Sequence, residues 1–208
     1  MSDAVRMGPI SAEAPLGSPP GPPSVPDFSI VPRVGVAVAG AIIVLLIVSI
    51  AGNWLWALDF FHVAGGGLWT GIDLFVGLAI GPIIGRMSVP ARIEFSTRFM
   101  PKMLVIMPTL VIVTLAAGYQ LARHLGDLAP NSPNHGLLVA SYIVVGVMAV
   151  IALGLLEPAN LAVLFELKKE RPNGERISKL MRIFVLTAGV TGVMQVATLV
   201  IMTRLATS

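Results

Sequence analysis

Long apolar runs broken by short polar stretches set the plan of this chain. Residues 33–55, 60–84, 103–122, 136–167 and 183–202 are dominated by Val, Ile, Leu, Ala and Gly. Each is about 20 residues or more, enough to carry a helix across a hydrocarbon layer of roughly 30 Å. Ten-residue segments of alternating character, the mark of a membrane barrel, are missing from the pattern, so helices are the way this backbone is satisfied in lipid. The pattern predicts an all-α, polytopic membrane helical bundle of about five transmembrane helices. It divides into a tail over 1–32, an anchor helix over 33–58 and a four-helix core over 59–208.

The second run carries a polar stripe. At about 100° per residue, His62, Gly66, Trp69 and Asp73 fall on one helix face, which then holds an imidazole, a gap, an indole and a carboxylate. Asp73 lies about 16 Å along the helix from His62 and so near the bilayer centre, where a carboxylate is expensive and faces protein or water. It reads as a proton carrier or cation partner, or as a hydrogen-bonded packing residue. Glu157 is the carboxylate of the fourth run, beside Pro158, whose missing N–H frees a carbonyl and whose kink makes room for water. It reads as a charge relay or as a partner for Arg98 or Lys102. Pro82 predicts a local bend late in the second run.

The stretch from Arg86 to Lys102 reads as a basic loop, with Arg86, Arg92, Arg98 and Lys102 against Glu94. Lys168, Lys169, Arg171, Arg176, Lys179 and Arg182 form a second one. Both lie in the cytoplasm only if the N-terminus is cytoplasmic and the C-terminus outside, which five spans allow. That topology brings His62, His124 and His135 to the outer face of a bacterial inner membrane. The turn-rich stretch 126–134 links the third and fourth spans.

Composition sharpens the membrane assignment: of 208 residues, 55% are hydrophobic and 12% charged, where soluble chains carry about 25% charged. Mean hydropathy is +0.86. The net charge of +3 follows from the two basic loops, so lipid topology explains it and a nucleic-acid partner is not implied. With no cysteine, disulfides, thiolate metal sites and iron–sulfur clusters held by this chain alone are excluded. The tail holds eight prolines and reads as an extended segment able to dock on a partner, without the charged n-region and apolar run of a cleaved signal peptide.

An imidazole near a membrane-helix end can ligate haem iron or copper, and glycines one turn away keep side chains off a flat macrocycle. The pattern His62, then Trp69, then Gly71, followed by Arg98-Phe99 and by a helix closing on Thr114-x-x-x-Gly118-Tyr119, resembles the CopD-like and HemJ-like integral membrane proteins. The resemblance covers residues 60–165 and implies a histidine-bearing four-helix core concerned with copper handling or b-type haem. It departs from the HemJ-like pattern at Asn134-His135-Gly136, where a lysine is expected, and this speaks against oxidase-type haem chemistry.

Three functions follow as expectations. The first is a small haem b protein carrying electrons near the outer face, with His62 as axial ligand, His124 or His135 opposite, and Gly66 and Trp69 beside the ring. The second is a copper-handling permease-like protein using the same three histidines and the Met100, Met103 and Met107 stripe. The third is a cofactor-free accessory subunit of a larger membrane complex, attached through residues 1–32 and the first helix. Gly65-Gly66-Gly67 lacks the Lys-Ser/Thr of a phosphate loop, and no nucleophile–base set points to hydrolysis.

Overall fold

The computed structural model describes residues 27–207, all of whose regular structure is helical. Five helices are long and apolar enough to cross a membrane: α1 (Arg33–Ala51), α2 (Leu55–Arg86), α3 (Val89–Leu125), α4 (His135–Leu167) and α5 (Gly174–Ala206). The chain is an all-α membrane bundle. Most of the expected tail, residues 1–26, lies outside the described residues.

The expected boundary between anchor and core at residue 58 moves to the turn 52–54. Gly52 closes α1 and Asn53 takes a left-handed φ of 52°, which an Asn tolerates better than most residues. Trp54 and Trp56, one on each side of the start of α2, are exposed, as interfacial indoles are. Few residues of α1 are buried, Leu46 and Ser49 among them; with Leu58, Val113 and Ala117, Leu46 forms a small cluster that ties α1 to α2 and α3.

The first basic stretch is not a loop. Helix α3 starts at Val89, with Pro90 in its first turn, where a missing N–H costs nothing. Charge hid the apolar side of this stretch: Ser96, Thr97 and Met100 are buried, and Phe95 stacks on Phe99 at 5.0 Å. Arg92 fastens the corner, donating to the carbonyls of Ile84 and Met87 and to the Ser178 hydroxyl. Helix α5 likewise starts nine residues before the expected 183, because Asn173 Oδ1 caps the N–H groups of Glu175 and Arg176 at 3.0 Å each.

Pro82 and Pro158 act upstream of themselves. A proline ring clashes with the carbonyl four residues before it. Those residues, Leu78 and Gly154, fall inside π-helical turns at Phe75–Ile80 and Ala152–Leu156. Widening the turn absorbs the fault and lets α2 and α4 continue to their ends.

Helix α2 is the centre of the bundle, packed on α3, α5 and α1. A Cβ added at Gly77 would stand 2.4 Å from the Cα of Gly189, and one at Gly192 would stand 2.9 Å from the Leu74 nitrogen. Two backbones therefore touch, the small-residue contact that membrane helices use when apolar side chains gain nothing by leaving lipid. The main core lies toward the basic end and includes Met100, Met107, Leu164, Met181 and Phe184. There Glu166 collects Lys169 at 2.7 Å, Arg176 at 3.4 Å and the Asn173 N–H at 3.2 Å. Phe28 also docks at this end, its ring 4.5 Å from Lys168 Nζ.

Gly77→Ala should lower thermal stability in detergent by about 1–3 kcal/mol, because only backbone movement can make room. Gly67→Ala, which meets nothing within 4 Å, should not. Paired melting curves of the two variants check this.

Candidate functional site

The three histidines lie toward one end of the bundle: His62 early in α2, His124 next to the last residue of α3, and His135 first in α4. They do not converge. His124 Nε2 donates to Asn53 Oδ1 at 2.8 Å on the exposed side facing α1. His135 Nδ1 is buried without a partner among the described residues. Only His62 lines the cavity of this end, about 640 Å³ in volume, which falls within the range that drug-sized ligands occupy. Among the described residues no three His, Asp or Glu side chains gather as a metal group.

His62 is held by α3. Its Nδ1 lies 2.9 Å from the Thr114 carbonyl, and a carbonyl only accepts, so Nδ1 carries the proton and Nε2 of the neutral ring keeps a lone pair. Gly118 makes this possible, since a Cβ there would stand 2.5 Å from the ring. Gly65 admits the Thr114 side chain in the same way, at 2.6 Å.

Gly66 and Trp69 line the cavity with His62, whereas Asp73, the last member of the stripe, lies beyond its wall. Asp73 is 1% exposed, and one oxygen, Oδ2, accepts from Trp69 Nε1, Thr191 Oγ1 and Gln195 Nε2, each at 3.0 Å. Three neutral donors thus stand where a lone carboxylate would be costly. This layer fixes Trp69 and turns Gln195 so that its Oε1 is buried without a partner among the described residues. Thr114 Oγ1 is in the same condition. Both Gln195 and Thr114 line the cavity. The remaining wall is largely apolar, with Thr70, Ser141, Thr198 and Thr203 within it; Asp59 and Asp127 also line it, and neither Lys nor Arg is among the lining residues.

Glu157 does not meet Arg98 or Lys102: Arg98 pairs with Glu94 at 2.8 Å one turn away. Glu157 is half-buried with no partner among the described residues. Met100, Met103 and Met107 do form one stripe, but it faces the core. Thr191 and Gln195 escaped the sequence reading, although Thr187, Thr191 and Gln195 recur every fourth residue in an apolar helix and so mark a polar face.

The fold and the site define a class, a five-helix membrane bundle with a ligand-sized cavity toward its histidine-bearing end. No family model, curated protein or solved structure matches the chain.

Asp73→Leu should cost about 2–4 kcal/mol, because three buried donors lose their acceptor together. Glu157→Gln, which breaks no bond, should stay within about 0.5 kcal/mol of the parent. Unfolding of both in the same detergent measures the difference.

Proposed function

We propose that this chain binds a neutral, lipid-borne redox carrier of the quinol class in the cavity, toward the outer face of a bacterial inner membrane. The orientation follows from charge. The basic stretches lie at the other end of the bundle, so that end is cytoplasmic, with the N-terminus, and the C-terminus is outside.

The observation that carries the reading is the chemistry of the wall. Gln195 Oε1 is a buried acceptor in need of a donor, and His62 Nε2 is a second acceptor by its tautomer. A quinol brings hydroxyl donors on an apolar ring, and it carries no charge for the carboxylates of Asp59 and Asp127 to repel. Trp69, locked by Asp73, offers its ring as an apolar floor. In this reading the role of the chain is to hold the carrier, which suits a subunit that hands it to a partner.

Haem b is the second reading. His62, whose Nδ1–H is fixed by a carbonyl, would hold the iron through Nε2, and Met148 and Met202 line the same cavity. When bound, haem would supply one-electron transfer. The resemblance of residues 60–165 to CopD-like and HemJ-like proteins supports this reading. The lining opposes it, because it offers propionates the carboxylates of Asp59 and Asp127 and no cation. Copper has less support still, since His124 and His135 stand outside the cavity and the methionine stripe is in the core.

A reduced-minus-oxidised spectrum and a quinone titration of Trp69 fluorescence, in a Trp54→Phe/Trp56→Phe background, separate these readings. The quinol reading expects no Soret band and saturable quenching, weakened about tenfold by Gln195→Leu or His62→Ala, the loss of one hydrogen bond. A b-type Soret band lost in His62→Ala, with no quenching, establishes haem instead.

A further inference from the structure

The cavity is bordered by a folded turn and by a space between two helices. Above it, the turn 126–134 is folded inward. Asp127, 6% exposed, accepts from Ser132 Oγ at 3.1 Å and from Asn134 Nδ2 at 3.3 Å, and Asp127 and Asn134 both line the cavity. Helix α4 is held unevenly. Its half toward the basic end, Glu157–Leu167, packs on both α3 and α5, whereas the half toward the histidines, His135–Ile151, packs along α5. Among the described residues that half makes no comparable contact with α3 or α2. A gap is therefore left between α3 and α4 at the depth of the cavity, and what faces it is the bilayer.

The edges of this gap are specific. Leu115 and Tyr119 of α3 and Tyr142 and Val145 of α4 line the cavity and border the gap. Tyr119 is 55% and Tyr142 42% exposed. Leu115 and Val145 stand ten residues, about 15 Å, from the nearer ends of α3 and α4, deeper than the two tyrosines.

We infer that this gap is a lateral slot in the outer leaflet. The quinol ring sits in the cavity, and its isoprenoid tail leaves between Tyr119 and Tyr142, across Leu115 and Val145, into the bilayer. The inference rests on the quinol reading for its ligand. A phospholipid fits less well as the occupant, because its acyl chains bring no donor to Gln195 Oε1 inside the cavity. A long neutral chain loses nothing by lying in the slot, since both ends of its path are apolar, and the tail raises affinity by keeping the ring at the level of the opening. Specificity then falls to α3 and α4, whereas the head is read by α2 and α5.

The full chain in phosphatidylethanolamine/phosphatidylglycerol nanodiscs, with Trp54→Phe/Trp56→Phe so that Trp69 reports alone, supplies two measurements. One is quenching of Trp69 by phospholipids brominated on the acyl chain. The other is binding of 2,3-dimethylnaphthoquinol against the same ring bearing a four-unit isoprenoid chain. Bromolipid quenching is expected in the ligand-free protein, together with at least tenfold tighter binding of the tailed ring. Leu115→Phe/Val145→Phe should remove both effects without lowering the melting temperature. Tail-independent binding that is indifferent to the plugged slot overturns the inference and leaves the quinol reading standing. Bromolipid quenching that the plug abolishes, with neither quinol bound, leaves the slot standing and overturns its assigned occupant.

Discussion

The structure depends on how one carboxylate in the interior of a membrane bundle is satisfied. Asp73 could have been paired with a cation; instead a single oxygen gathers an indole, a hydroxyl and an amide. Hydrogen bonds of this kind bring only about 1 kcal/mol each, but the unmet alternative is far more expensive in a medium without water. The interaction joins α2 to α5 across a span of more than one hundred residues. It also fixes two side chains of the cavity, Trp69 by using its N–H and Gln195 by consuming its amide donor.

The glycine contacts act along the same seam. Gly77, Gly189 and Gly192 let the backbones of α2 and α5 meet just beyond Asp73, so the polar layer and the small-residue layer reinforce one pairing. With α2 and α5 locked, and with Glu166, Arg92 and the capped start of α5 closing the basic end, α4 is fixed strongly at one end and weakly at the other. The cavity follows from that asymmetry. Elements that tighten the basic end leave the cavity at the histidine-bearing end, where Thr114 Oγ1 and Gln195 Oε1 are buried without a partner among the described residues.

Charge then separates occupants that shape alone does not. An apolar cavity with an available imidazole suits a haem or a neutral aromatic ring about equally. Asp59 and Asp127 line the same cavity, and their carboxylates disfavour an anionic edge more than a neutral one. His62 is informative in both cases for the same reason: the carbonyl of Thr114 fixes which nitrogen holds the proton.

Helix number, the up-and-down order, the shared end of the histidines and the stripe from His62 to Trp69 were all legible in the sequence. They follow from run length, charge and a 3.6-residue period, which are local properties. The boundaries of α3 and α5 were not, because Arg92, Glu94, Arg98 and Lys179 make the helix starts look like loops while Ser96, Met100, Ile177 and Met181 are buried on their other sides. A charge is visible in sequence; the surface its neighbour packs against is not. The same limit applies to the site. Sequence placed His62, His124 and His135 at one end, and only tertiary structure put Asn53 beside His124, the Thr114 carbonyl beside His62, and Thr191 and Gln195 beside Asp73. Partners more than fifty residues apart depend on how helices rotate about their axes, and that rotation is set by glycine contacts and buried hydrogen bonds that no single segment encodes.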